Sequence, residues 1–332
     1  MGQVMPATAG TSPVEDKFQY TFTVFTPTFN RAHTLSGVYE SLCNQTFRDF
    51  EWLVVDDGSS DGTRRLVEGW QREASFPIRY IYQASQGKHI ASNRGADEAR
   101  GELFLTLDSD DTCSANALER LNYHWSSITG ADRERFSAVT SLCSDTEGKV
   151  IGTPFPRSPL DSDSLETHFR YKVRGEKWGF QRTDVMRRFR FPVSEGQRYI
   201  PEGVVWNAIA RHYKTRYVNE ALRTVHSTPV SLSRGPAPGY HASGNVLVSE
   251  DLLTSGVDWF RYAPIEFVLA AIRYARFSFH VGRGPAEQGR RLTNVVGRML
   301  WGITLPLGYL AFLDDKLLLS RKVRGLVRRV RA

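Results

Sequence analysis

The chain is 332 residues long and carries 43 lysines and arginines against 36 aspartates and glutamates, a formal charge of +7. Its 41% apolar and 24% charged content is that of an ordinary folded protein, which excludes a disordered, collagen-like or polytopic membrane chain. Seven of the bases (Lys316, Arg321, Lys322, Arg324, Arg328, Arg329 and Arg331) follow Asp315 with no acid among them, so the remaining body is neutral and a chain-wide nucleic-acid footprint is excluded.

Residues 1–17 are small and polar, with no apolar core run and no myristoylation pattern, and read as a disordered lead-in. Cys43, Cys113 and Cys143 are odd in number and far apart, which fits a reducing compartment better than a zinc site or a disulfide scaffold. From Tyr20 onward, strands alternate with amphipathic helices. The β-branched and aromatic run Thr21 to Thr26 predicts a strand that stops at Pro27, which has no N–H to give a ladder. Leu35, Val38, Tyr39, Leu42 and Cys43 share one helical face.

A second strand at Glu51 to Val55 runs into the turn formers Asp56-Asp57-Gly58-Ser59-Ser60-Asp61-Gly62. A helix carrying Leu66, Val67 and Trp70 follows, then a strand at Ile78 to Tyr82, a helix near Ile90 to Ala99 and the apolar run Leu103 to Leu107. Four such β units with intervening helices predict an α/β fold with a mostly parallel sheet.

Ligands of such sheets bind beyond the carboxyl ends of the strands. Three ends qualify: Thr26-Pro27-Thr28, Asp56-Asp57-Gly58 and Asp108-Ser109-Asp110-Asp111. So many neighbouring carboxylates are costly unless something positive lies among them, and a hard divalent cation shared with a substrate phosphate would serve. Asx turns and helix caps are the plainer explanation of any one of these segments. The chain has neither Gly-x-Gly-x-x-Gly after the first strand nor a Gly-x-x-x-x-Gly-Lys-Ser/Thr loop, so dinucleotide oxidoreductases and P-loop enzymes lose their phosphate cradle.

The segments Phe25-Thr26-Pro27-Thr28-Phe29-Asn30-Arg31, Val54 to Thr63 and Leu107-Asp108-Ser109-Asp110-Asp111 together resemble the family 2 glycosyltransferases, over roughly residues 20 to 230. The resemblance implies a GT-A fold, inversion at the anomeric carbon and a nucleotide-diphosphate sugar donor. It implies that Asp57, with Asp56 beside it, holds the base and ribose, and that Pro27 and Phe29 line the base pocket, where Phe29 is equally explained by packing. Asp108 and Ser109 would face the donor, and Asp110, with Asp108, would hold a divalent cation, Mn²⁺ or Mg²⁺. Many relatives have an arginine where Ser92 stands in Gly87-Lys88-His89-Ile90-Ala91-Ser92-Asn93, and Lys88 either replaces its charge or is a solvated lysine, two readings with equal claim.

Ile200-Pro201-Glu202-Gly203-Val204-Val205-Trp206 resembles the acidic acceptor-side element of the family with one carboxylate replaced by Gly203. Glu202 is therefore the expected catalytic base. His226, after a strand at Leu222 to Val225, stands where some relatives place a third metal ligand, although a lone histidine is more often structural. Trp178 can stack on an acceptor sugar or sit in the core.

Beyond Ser233, Gly235-Pro236-Ala237-Pro238-Gly239 reads as a linker. Helical periodicity returns at Val246 to Leu253 and at Ile265 to Phe279. The uncharged stretch Met299 to Leu313 is interrupted by Gly302, Pro306 and Gly308 and is expected to be too short to cross a bilayer. In the final segment Leu319, Val323, Leu326 and Val330 lie within about 60° of one another on a helical wheel, opposite the arginines, which predicts an amphipathic helix at an anionic membrane surface or a helix packed on the body.

The expected division is a lead-in (1–17), a nucleotide-sugar-binding half (18–115), an acceptor-binding half (116–232) and a helical C-terminal region (233–332). The function expected is transfer of a sugar from a nucleotide-diphosphate sugar to a saccharide or lipid-linked acceptor, on the inner face of the cell membrane. The rival readings are a non-catalytic nucleotide-sugar-binding scaffold and a sugar-phosphate nucleotidyltransferase. The latter should carry a glycine-rich loop near the first strand, where residues 27–31 have no glycine.

Overall fold

The structure, a computed structural model, describes residues 18–193, 200–226 and 239–330, with side chains described as far as Leu317. The expected lead-in, most of the Gly235–Gly239 linker and the two-sided arrangement of the basic tail lie outside these described side chains.

The first part of the chain alternates β1 (Tyr20–Thr28), α1 (Leu35–Cys43), β2 (Phe50–Asp56), α2 (Thr63–Glu73), β3 (Ile78–Tyr82), α3 (Lys88–Glu98) and β4 (Gly101–Thr106). It continues through β5 (Thr112–Cys113), α4 (Ala117–Ser126), β6 (Phe136–Ser144), β7 (Leu160–Ser162), α5 (Ser164–Phe169), β8 (Lys177–Arg182), α6 (Thr183–Arg188), α7 (Gly203–Ala210) and β9 (Lys214–Thr224). The strands form one mixed sheet in the order β3-β2-β1-β4-β8-β6-β9-β5, with β7 on β9. β1 pairs in parallel with β2 and β4, β2 with β3, and β6 with β9, whereas β8 runs antiparallel to both β4 and β6.

Strand β1 runs through Pro27 to Thr28 rather than ending before it. The pairing explains this. On the β4 side the register ends at Phe25 with Thr106, while Pro27 is opposite Val55 of β2, so the missing N–H falls where β1 has become an edge. Inside the sheet, Phe22, Trp52, Leu103, Leu105, Trp125 and Phe180 are buried in one cluster. Each such side chain contributes about 1.5–3 kcal/mol on leaving water. Trp178 belongs to this core, its indole N–H donating to the Thr106 carbonyl at 2.7 Å, and is not presented to an acceptor sugar.

The described residues divide into two compact units: 18–193 with 205–226, and 200–204 with 239–330. The second unit contains α8 (Ala242–Ser255), α9 (Pro264–His280), α10 (Pro285–Arg291) and α11 (Val295–Val330). Its core gathers Ala242, Val246, Leu253, Ala271, Tyr274, Phe277 and Leu292. Helix α11 is unbroken, which corrects the expected interruption at Gly302, Pro306 and Gly308. Gly308 faces α9 so closely that an added Cβ would lie 2.4 Å from the Ala275 Cβ, so here the glycine serves packing rather than breaking. Pro306 is exposed, so the carbonyl it leaves unpaired one turn back is on the outer side. As a continuous helix, Val295–Leu317 is long and apolar enough to cross a membrane by length and composition alone.

Candidate active site

The carboxyl ends of β1, β2 and β4 lie side by side in the parallel part of the sheet, and the segments leaving them are laced together. Asn30 takes a left-handed backbone (φ 53°), a conformation asparagine tolerates better than most residues. From there its amide N donates to Ser59 Oγ at 2.8 Å and its Oδ1 accepts from the Ser60 N–H at 2.8 Å. Ala32 N donates to Asp61 Oδ2 at 3.1 Å, which closes the same seam.

Asp56 and Asp57 have different tasks although adjacent. Asp56 is fully buried, accepting from the Ser59 N–H at 2.7 Å and from the Tyr80 hydroxyl at 2.6 Å. The Tyr80 hydroxyl is correspondingly raised, by burial first and then by this bond to a carboxylate. Asp57 accepts from Gln83 Nε2 (2.7 Å), Gln86 N (2.9 Å) and Gly87 N (2.7 Å), so it shapes the segment that delivers α3. Gly58 makes room for that segment: its φ is 93° and a Cβ there would meet Ser85 N at 3.0 Å.

Lys88, the first residue of α3, places Nζ 2.7 Å from Asp108 Oδ1 at the end of β4. Arg223, near the end of β9, reaches Asp108 Oδ2 at 3.4 Å and donates through Nε to Asp111 Oδ2 at 2.8 Å. Arg31 lies 3.6 Å from Asp110. Burial by itself would raise the Asp108 carboxyl, but Lys88, Arg223 and Arg31 hold it below the usual carboxylate range. Asp111 lies above that range because burial exceeds the offset from Arg223. Three carboxylates thus face three protein cations, and the positive charge demanded by the acidic strand ends is supplied by the chain itself.

Of the residues expected at the site, Lys88 and Asp108 are in contact, Asp110 neighbours them through the β4 turn, and Ser109 is buried within that turn. Pro27 is buried in β1, and Phe29 beyond it is 49% exposed, so it is not consumed by core packing. The expected metal set of Asp108, Asp110 and His226 is not assembled: among the described residues no three His, Cys, Asp or Glu side chains gather at ligating distance. His226 instead sets its ring Nε2 3.1 Å from Thr112 Oγ1, and its backbone N donates to Asp111 at 3.0 Å. Asp108 is already neutralised by two cations. A hard cation needs only one or two carboxylates when diphosphate oxygens and water complete its shell, and Asp110, 20% exposed, fits that donor role.

Glu202 is exposed, immediately ahead of α7, and groups with the second compact unit. Asn93 clamps the segment after α6: its amide donates to the Phe191 carbonyl and accepts from the Phe191 N–H, both at 2.9 Å. The sequence did not single out Arg31, Asp111 or Arg223 as site residues. Arg31 and Asp111 lay within recognised segments, whereas Arg223 meets its partners across more than a hundred residues, a pairing no local pattern encodes.

Residues 23–129 match the family model described as "Glycosyl transferase family 2". A GalNAc(5)-diNAcBac-PP-undecaprenol beta-1,3-glucosyltransferase of Campylobacter jejuni is 28% identical over 205 residues, 60% of this chain and 62% of that protein. A cholesterol galactosyltransferase of Borreliella burgdorferi is 34% identical over 144 residues, 43% of this chain and 39% of that protein. The alignments therefore span less than two thirds of either relative. The S. aureus TarS structure in complex with UDP-GlcNAc superposes with a TM-score of 0.56 at 18% identity, over 88% of this chain and 81% of that one, a likeness of fold.

Proposed function

Through residues 23–129 the chain belongs to glycosyl transferase family 2, and from that premise we propose that it moves a sugar, with inversion, from a nucleotide-diphosphate sugar to a hydroxyl acceptor. The observation that carries this reading is the Lys88–Asp108 pair, joined by Arg223, on a strand end beside the segment anchored by Asp57. A diphosphate arriving there offers Arg31 and Lys88 an anionic partner that competes with Asp110 and Asp108. Two charge-assisted contacts of that kind fix a leaving group strongly.

Asp57 and Phe29 are assigned to the base and ribose, with Pro27 and Asp56 supporting the strand ends from which they project. Asp110 would hold a divalent cation, Mn²⁺ or Mg²⁺, which would offset charge on the departing diphosphate. The acceptor hydroxyl loses its proton as it attacks, and Glu202 is the carboxylate we assign to receive it, since the others are engaged with the donor side. The Campylobacter relative is named for an acceptor on an undecaprenyl diphosphate, and we extend to this chain a lipid-linked or saccharide acceptor presented at the cytoplasmic face of a membrane.

The test is direct. Incubation with a panel of nucleotide sugars and Mn²⁺ should release nucleoside diphosphate slowly from one donor, faster once an acceptor extract is added, and that donor should raise Tm by mass action. A donor that raises Tm with no release under any condition would leave a binding scaffold in place of an enzyme.

A further inference from the structure

We propose that α11 docks in the plane of an anionic membrane interface through the face bearing Met299, Ile303, Leu307, Leu310 and Leu313, and does not cross the bilayer. This rests on the membrane-side reading above and adds the surface and the mode of contact. At about 100° per residue these five side chains fall within an arc of about 120°. They are between 38% and 75% exposed. The exposed positions among them, Gly302, Pro306 and Tyr309, are also uncharged, so the outer face from 299 to 313 carries no formal charge. An apolar helical face of this length exposed to water marks an interaction site.

The opposite face of the same helix is committed to protein. Thr304 is buried, Gly308 abuts Ala275, and Trp301 Nε1 donates to Gln288 Oε1 at 2.9 Å. Asp315, also buried, accepts from Arg276 at 2.7 and 2.6 Å and lies 2.9 Å from His280 Nε2. If α11 crossed a bilayer, it would draw α9 and the Arg276–Asp315 pair toward hydrocarbon, a costly location for ionised groups. Although Val295–Leu317 is long enough to span, the charge-free stretch between Arg298 and Asp314 rises only about 22 Å, so spanning would bring one of those charges into a hydrocarbon core of about 30 Å. A helix apolar on one side and bonded to its own domain on the other suits the interface, where its outer face is immersed and its inner face stays with the protein.

Charge identifies the occupant as lipid. Beyond the apolar face and the two acids Asp314 and Asp315, the second of them paired with Arg276, the sequence holds seven bases from Lys316 to Arg331 and no further acid, while the chain before Lys316 is neutral. A basic segment that follows an apolar face along the same helix complements anionic headgroups above an acyl layer.

The experiment uses the full chain and vesicles of phosphatidylcholine with phosphatidylglycerol. The combined variant Ile303→Asp, Leu307→Asp, Leu310→Asp, whose changed positions are all exposed, should keep the wild-type circular dichroism and Tm. Its vesicle affinity should fall by more than about a hundredfold. Depth is read separately from single cysteines at Met299, Ile303, Leu307 and Leu310 in a Cys43→Ser background, since Cys113 and Cys143 are buried. Each cysteine carries a fluorophore quenched by lipids brominated at different acyl positions. Docking in the plane requires similar, shallow depths at all four sites. Depths that increase toward the middle of the helix, with binding resistant to alkaline extraction, would mean a spanning helix and would overturn the proposal while preserving the membrane reading. Wild-type protein that fails to bind the vesicles at all would remove the membrane reading itself. Loss of self-association in the triple-aspartate variant, with vesicle binding intact, would give the face to a second copy of the chain and overturn the proposal as well.

Discussion

At the scale of single residues, the site is a set of ion pairs whose members differ in how replaceable they are. Asp110, whose side chain is 20% exposed, lies 3.6 Å from Arg31, and the isosteric Asp110→Asn should keep the fold, remove metal-dependent nucleotide binding and abolish transfer; near-normal Mn²⁺-stimulated turnover would take Asp110 out of the mechanism. Arg223 is different because its side chain is only 11% exposed and it serves both Asp108 and Asp111. Arg223→Gln strands the buried Asp111 carboxylate, leaves Asp108 paired with Lys88 alone, and should cost about 3–5 kcal/mol. Adding Asp111→Asn should return much of that stability without restoring turnover, since Asp108 still lacks one of its two cations, and chemical denaturation of the two variants measures the difference. Glu202→Gln separates two roles by kinetics: loss of a general base lowers the rate by about 10²- to 10⁴-fold with donor binding preserved. Loss of helix capping costs about 1 kcal/mol and spares turnover. The acidic strand ends were legible in the sequence because turn formers and carboxylates are local in the chain. Of their cations Lys88 was singled out, but Arg223 was not, because it is brought to Asp108 and Asp111 only by the pairing of β5 and β6 with β9.

At the scale of elements, the alternation from β1 to β4 was legible because each strand there is a short apolar or β-branched run bounded by turn residues. Strands β5 to β8 were not: β5 has two residues, β7 has three, and Trp178, Phe180 and Ser141 become strand residues through partners far along the chain. One joint of this second half carries a pH signature. Glu220 of β9 accepts from Arg120 Nε and Nη2, both at 2.8 Å, and lies 2.6 Å from His124 Nε2, which ties the strand to α4. The Arg120 hydrogen bonds, with further help from His124, lower the Glu220 carboxyl to about 2. A folded-state value below the unfolded one means the contribution is complete above about pH 4.5 and is lost as pH falls toward about 2. Glu220→Gln should therefore show a lower Tm than wild type at neutral pH, with the gap closing through that acid window. A gap constant with pH would assign the loss to packing. In the C-terminal helices, Gly308→Leu forces a side chain against Ala275 and should destabilise by about 1–3 kcal/mol. Gly302→Leu, with open space around its Cβ position, should not.

For the whole molecule, charge and apolar surface are segregated along the chain: a neutral body, an apolar helical face and then seven bases without an acid. Helix α11 joins the last two, and its continuity through Pro306 escaped the sequence because proline and glycine were weighed as breakers without the packing of Gly308 on α9. Deleting residues 316–332 removes the seven bases and keeps the face from Met299 to Leu313. The electrostatic part of membrane affinity is worth roughly 1 kcal/mol per base close to an anionic surface and fades with added salt, because the screening length shrinks to about 3 Å at 1 M. The apolar part has no such dependence. The truncated chain should thus bind anionic vesicles far more weakly than the full chain at low salt, and what binding remains should be nearly independent of both salt and phosphatidylglycerol content. The full chain should converge on the truncated one as salt is raised. Flotation at several salt concentrations measures both curves, and coincident curves at low salt would show that the basic segment adds nothing to membrane affinity and acts within the protein instead.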